Sequence, residues 1–203
     1  MSKIIVLGAG LSGLASASLL ARAGHQVTVL DRQSWLGGKS RRIEVAGQIM
    51  DTGPALVTFT GVWDRLLMRY DELGASQSKS ASEIADINFV KLNELGRYFY
   101  QDQVTDLPVK PDHEWFEAWD RFEKEHAPLN EPITELLTKM PTDPASLPAL
   151  AKLQKRYGLR LTTSWYLRGL KWMPEKLKDI IAIHTLNAGI APTKTLALYA
   201  SMT

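Results

Sequence analysis

Gly8, Gly10 and Gly13 stand where an apolar run, Lys3-Ile4-Ile5-Val6-Leu7, meets a small-residue segment beginning Leu11-Ser12. This spacing predicts a strand, a tight turn and a helix, the arrangement that receives a dinucleotide. Gly8 permits the turn. Gly10 has no Cβ, so a pyrophosphate can approach the backbone, and Gly13 lets the helix pack close to the strand. The first helical residues, Leu11 and Ser12, then offer unpaired N–H groups and the positive end of the helix dipole to an anion.

The following residues extend the unit. A helix over 11–23 ends in a polar turn, Ala23-Gly24-His25, and a second apolar run, Val27-Thr28-Val29-Leu30, leads to Asp31. Asp31 lies 18 residues after Gly13, a separation that suits a carboxylate accepting from a ribose 2′-hydroxyl. Such an acid favours an unphosphorylated ribose, FAD or NAD, over NADP, although the adjacent Arg32 leaves a cation within reach. A secretory signal would also begin with a base and an apolar stretch. The three glycines interrupt that stretch at nucleotide-binding spacing, and the strand ending in Asp31 continues the βαβ pattern.

A second motif follows, Gly37-Gly38-Lys39-Ser40-Arg41, in which a glycine doublet and bases can meet another face of the pyrophosphate. Asp51-Thr52-Gly53-Pro54 comes next. On these residues the stretch 4–54 resembles the N-terminal part of the FAD-dependent amine oxidase superfamily, and most resembles the phytoene-type carotenoid desaturases. Matching positions are Gly8, Gly10, Gly13, Asp31, Gly37, Gly38, Lys39, Gly53 and Pro54. The chain departs in having Asp where Glu is commoner, and Lys rather than Arg after the doublet. Both keep charge, but Asp is shorter and Lys lacks the bidentate fork. Ile181–Pro192 also resembles a helix and turn of the substrate half of those enzymes.

The resemblance implies an α/β fold, with a Rossmann-like FAD-binding βαβ unit followed by a mostly helical part facing substrate and membrane. It implies FAD as cofactor, hydride transfer from a lipophilic carotenoid to flavin, and a cytoplasmic protein peripheral to the inner face of the membrane. Two other readings stay open: a flavin enzyme acting on an amine or porphyrinogen, and a non-catalytic flavin-binding fragment. The expected division is an FAD-binding part over 1–110 and the start of a helical substrate domain over 111–203. In the family the later flavin-domain strands and a second flavin motif come near the C-terminus. Neither is found here, so the chain is expected to be an incomplete fold that needs a C-terminal partner polypeptide.

Composition sets few further limits. Hydrophobic residues make up 45% and charged residues 23% of the 203 residues, as in ordinary globular proteins. There is no cysteine, which excludes disulfides and thiol catalysis. His25, His113, His126 and His184 show no metal-ligand spacing, so no metal is expected. Charge is uneven: Asp102–Asp143 holds eleven acids and four bases, and Pro144–Thr203 two acids and nine bases.

Beyond the glycine motifs the periodicity predicts two short strands in 41–51 around Ala46-Gly47 and a helix over 61–73. A hairpin is expected from 85–92 and 97–101. Helices are expected near 112–126, 131–139, 145–157, 163–172, 175–187 and 193–202. Trp115, Trp119 and Phe122 share one helical face, read as packing, and His184 is read as packed or hydrogen-bonded. Residues 152–178 interleave Lys152, Lys155, Arg156, Arg160, Arg168, Lys171, Lys176 and Lys178 with Trp165, Tyr166 and Trp172, and Glu175 is the only acid among them. That pattern suits either contact with anionic lipid or solvated helices; no nucleic-acid partner is expected. No catalytic residue can be named from the pattern, which agrees with chemistry carried by a cofactor.

Overall fold

The structure is a computed structural model and describes residues 1–53, 56–74, 79–84, 87–140 and 142–201. It divides into two compact units, Met1–Phe89 and Val90–Thr203.

In the first unit β1 (Lys3–Leu7), α1 (Leu11–Arg22) and β2 (Gln26–Leu30) form the expected βαβ, with the strands parallel from Lys3↔Gln26 to Leu7↔Leu30. Strand alternation sends Ile4 and Val6 to one face, where they are half-buried, and Ile5 and Leu7 to the other. Ile5 is 65% and Leu7 80% exposed, so an apolar sheet face lies open. Next come β3 (Arg42–Val45) and β4 (Gln48–Asp51), an antiparallel hairpin whose two-residue turn is Ala46 and Gly47, both at positive φ. The unit continues through α2 (Thr60–Glu72), which packs on α1, to the short α3 (Ala81–Ile84). Arg22 ties these parts together. Its Nε donates to the Tyr70 carbonyl at 3.2 Å and its Nη2 to the Lys79 carbonyl at 3.0 Å, with the guanidinium over the Tyr70 ring.

The second unit opens with β5 (Gly96–Tyr100) and β6 (Gln103–Leu107), paired antiparallel around Gln101 and Asp102. This corrects the expected hairpin. Residues 87–92 form no strand, 85 and 86 lie outside the described residues, and the partner of 96–100 is instead 103–107. The pattern hid β6 because its buried residues include Thr105 and Asp106. Asp106 is kept there by Arg97, at 2.7 and 3.3 Å, and by Lys110. The hairpin docks on the segment around 179–184 through Tyr98 Oη and His184 Nε2 at 2.9 Å, and through Tyr100 Oη donating to Asp179 at 2.7 Å. It therefore belongs to the second compact unit, which begins at Val90.

The helices are α4 (Phe116–His126), α5 (Asn130–Thr138), α6 (Leu147–Tyr157), α7 (Thr163–Gly169) and α8 (Glu175–Ile183). Their apolar faces make the core, where Phe122, Ile133, Tyr166, Leu177, Ile180 and Ile181 are essentially inaccessible. Trp115, Trp119 and Phe122 are buried, as a packing face requires. His126 lies in the same core. Its Nδ1 donates to the Phe122 carbonyl at 2.7 Å, which leaves Nε2 to accept from the Tyr166 hydroxyl at 2.8 Å. Burial pushes its pKa down to about 4.

The helix expected over 193–202 is absent over the described residues 193–201. Leu196 instead makes an antiparallel bridge with Thr162, and Ala197–Ser201 is a single 3₁₀ segment. The reason is that the groups a helix ladder would use are engaged across the seam: Thr163 Oγ1 donates to the Leu196 carbonyl at 2.7 Å, and the Ala197 N–H donates to the Leu161 carbonyl at 2.9 Å. No helix among the described residues is long and apolar enough to cross a membrane.

Candidate dinucleotide-binding site

Each glycine of the first motif meets a different demand. Gly8 has φ +100°, the left-handed region, and its N–H donates to the Leu30 carbonyl at 2.7 Å, joining the C-terminal ends of β1 and β2. A Cβ on Gly13 would collide with the Gly8 carbonyl oxygen. Gly10 is the N-cap of α1 and supplies no side-chain cap. The first-turn N–H groups, those of Leu11 and Ser12 among them, therefore stay free of a side-chain acceptor. Both residues are exposed. The nearest atom to a Cβ built on Gly10 is the Gly38 Cα at 4.0 Å, so the space in front of the helix start is open.

Asp31 follows β2 directly and turns back over the glycine turn. Its Oδ2 accepts from the Ala9 N–H at 2.6 Å and its Oδ1 from the Gln33 N–H at 2.8 Å. These two donors hold the carboxyl below its ordinary range, Ala9 having the larger effect. Each oxygen keeps further acceptor capacity. Asp31 and Arg32, with Leu7, Gly8 and Leu30, line an open cleft of about 500 Å³ at the strand ends. In a parallel sheet this is where ligands are received.

The second motif docks on the first. The Gly37 N–H donates to the Ala9 carbonyl at 2.8 Å, and Gly37 forms a parallel bridge with Gly10. Gly37 and Gly38 both have positive φ, and a Cβ on Gly38 would sit 3.0 Å from the Gly10 Cα. Gly38, Lys39 and Ser40 form a 3₁₀ turn, with Lys39 exposed. Gly53 passes so close to this turn that a Cβ would strike the Lys39 carbonyl. Pro54 lies outside the described residues.

The fold thus brings Gly8, Gly10, Gly13, Asp31, Gly37 and Gly38 into one cradle, with Arg32, Lys39 and Ser40 at its margins. Sequence reasoning missed Ala9, whose N–H and carbonyl are the hinge between the two motifs. Side-chain type carries no signal for that role. It also passed over Trp35 as a partner of Arg41, whose guanidinium lies 4.0 Å from the Trp35 ring centroid. Here the positions of the pair on either side of the doublet were an available clue.

The basic stretch 152–178 does not form one charged face. Lys178 is 3% exposed and pairs with Glu175 at 2.7 Å, Arg156 pairs with Glu125, and Lys176 with Asp102. Lys152, Lys155, Arg160, Arg168 and Lys171 stay exposed, as do Leu159, Leu161 and Trp165.

Residues 6–71 match the NAD(P)-binding Rossmann-like domain family. Several relatives of the chain are named as carotenoid desaturases. It is 34% identical over 102 residues to 1-hydroxycarotenoid 3,4-desaturase of Flavobacterium sp. (strain P99-3), covering 50% of this chain and 19% of that protein. It is 40% identical over 82 residues to phytoene desaturase (neurosporene-forming) of Rhodobacter capsulatus, covering 40% of this chain and 15% of that protein. The chain therefore spans about a fifth or less of these relatives. Among solved structures, PF1083 protein from Pyrococcus furiosus superposes with TM-score 0.54 at 17% identity, over 99% of this chain and 41% of that one. A triple mutant of putrescine oxidase superposes with TM-score 0.52 at 14% identity, over 99% and 41%. These likenesses establish a shared fold.

Proposed function

We propose that this chain carries the adenine-nucleotide cradle of an FAD-dependent oxidoreductase that introduces double bonds into a carotenoid or similar polyene. The observation that carries the reading is the docking of Gly37-Gly38 on Ala9 and Gly10, which makes one site of two motifs. The α1 N-terminus would donate N–H groups to the diphosphate, Gly10 and Gly38 keep side chains out of its path, and Asp31 would accept from a ribose hydroxyl. Lys39 and Arg32 would add positive charge at the margins. Bound flavin supplies a hydride acceptor, and the protein's part is to hold and orient it. The relatives named as desaturases support the substrate class.

NAD is the second reading, supported by the matched family, since Asp31 suits either ribose. Titration of the purified chain with FAD, NAD and NADP separates them. FAD should bind, and Gly10→Val should abolish binding by filling the space before the helix. Tight NADP binding without flavin, or undiminished FAD binding by the variant, would reject the assignment.

Desaturation itself we assign to an assembly of this chain with a further polypeptide segment that completes the flavin domain. The open face of Ile5, Leu7 and Leu30 supports that requirement. Pigment extracted from cells producing such an assembly would distinguish polyene desaturation from amine or porphyrinogen oxidation. Stoichiometric flavin without turnover would identify a non-catalytic binding module. The reading also includes peripheral contact with anionic lipid through 152–178, supported by exposed Leu161 and Trp165 beside Arg160, Arg168 and Lys171.

A further inference from the structure

We propose that Arg41, held against the Trp35 ring, is a fixed cation for the diphosphate of the dinucleotide, an inference that rests on the reading above. Trp35 and Arg41 bracket the segment that carries Gly37 and Gly38. The guanidinium carbon sits 4.0 Å from the ring centroid, so the stack closes the two ends of this loop on each other. The middle of the loop is pinned at the start of α1 by the Gly37 N–H to Ala9 carbonyl bond and the Gly10–Gly37 bridge. The Arg41 main chain is fixed as well. Its carbonyl accepts from the Thr52 N–H at 2.9 Å and from the Thr52 hydroxyl at 2.8 Å.

Stacking occupies the face of a guanidinium and leaves its in-plane N–H donors for another acceptor. Among the described residues, the recorded side-chain contact of Arg41 is an aromatic face and not a carboxylate. Its neighbours differ. Arg42 is paired with Asp51 at 2.8 Å, and Lys39 is an exposed ammonium on a flexible stem. Arg41 is half-buried. It is the basic residue of this loop whose charge is both held in place and unneutralised, and the loop is the one whose Gly37 is bridged to Gly10 at the start of α1, a terminus that itself attracts an anion. A planar donor fork at that point suits a diphosphate, with two phosphoryl groups, better than a ribose or a ring. It also compensates for Lys39, which cannot make the bidentate contact that an arginine after the doublet would.

The test titrates the 203-residue chain with FAD, ADP and adenosine. Arg41→Gln should weaken ADP and FAD about tenfold or more, as expected for a lost charge-assisted hydrogen bond, and leave adenosine binding unchanged. The ADP difference should shrink as salt rises. Arg41→Lys should lie between, because it keeps charge without the fork, and Trp35→Phe should stay near the parent because a ring face remains. Equal ADP affinity in Arg41→Gln and the parent would overturn the proposal. Equal loss of ADP and adenosine would overturn it as well, since the stack would then be a structural clasp. Should Arg41→Gln fail to fold, the Arg41→Lys comparison of ADP with adenosine decides by the same criteria. A parent chain that binds neither FAD nor ADP would remove the functional reading, and this inference with it. A parent that binds both, with indifferent Arg41 variants, removes the inference alone.

Discussion

The Ala9 backbone N–H donates to Asp31 Oδ2 at 2.6 Å, so the acid that ends the βαβ unit also braces the turn between its strand and helix. One carboxylate fixes the shape of the glycine turn, and on the proposed reading it also accepts from a ribose hydroxyl.

Asp31→Ala should therefore lower FAD affinity about tenfold or more, the scale of a lost hydrogen bond to a charged group. Asp31→Asn should recover part of that loss, since one amide oxygen can meet one of the two N–H donors. Fluorescence titration measures both, and an Asp31→Ala affinity equal to the parent's would contradict the role.

Gly13→Ala drives a methyl into the Gly8 carbonyl, a backbone atom that cannot move aside cheaply. The expected destabilisation is about 2–3 kcal/mol, typical of overpacking at a rigid contact. Gly24→Ala is the control. A Cβ there has nothing within 4 Å, but φ is +87°, so the cost should be about 1 kcal/mol from conformation alone. Urea unfolding followed by circular dichroism would rank them, and equal midpoints would refute the close-packing argument.

His126 links stability of the second unit to pH. Its folded pKa of about 4 lies below the ordinary 6.5, so the folded state favours the neutral ring and the unfolded chain binds the proton more readily. The contribution is complete above pH 6.5, declines as pH falls through the window from 6.5 to about 4, and levels off below it. Its size is about 3 kcal/mol. Unfolding free energies measured between pH 4 and 7 should show this slope in the parent and a flatter one in His126→Gln. Parallel slopes would exclude His126 as the source.

Lipid contact is tested by flotation with anionic and neutral vesicles. The chain should partition onto the anionic ones, less so at high salt, and Arg168→Glu with Lys171→Glu should reduce the effect. Lys178→Gln is not informative, because that ammonium is buried against Glu175. Indifference to vesicle charge would eliminate the electrostatic contribution.

The first unit was legible because its constraints are local. A positive φ at Gly8 and a forbidden Cβ at Gly13 are properties of single positions, and the fixed spacing to Asp31 reflects one helix and one strand. The docking of Gly37 on Ala9 was not legible, because backbone groups donate and accept whatever the side chain. Strand β6 was obscured by burial of Asp106, which only its pairing with Arg97 and Lys110 makes tolerable. The pairing of charges within 152–178 was not legible for a similar reason. Arg156 and Lys176 find Glu125 and Asp102 far back along the chain. Periodicity also extended a helix past Leu196, whose carbonyl is bonded to the Thr163 hydroxyl far back along the chain.

The seam between Thr162 and Leu196 has a kinetic consequence. It joins Thr163 to the Thr195 carbonyl across 32 residues of chain and encloses α7 and α8. Closing a loop of that length costs about 3 kcal/mol of chain entropy in its length-dependent part, before any contact repays it. Helical turns inside the loop can form and melt by themselves, but the seam exists only when the whole loop is closed. The Thr163 and Ala197 amides, both bonded across it, should then exchange with solvent deuterium together, at a rate set by reopening of the entire segment.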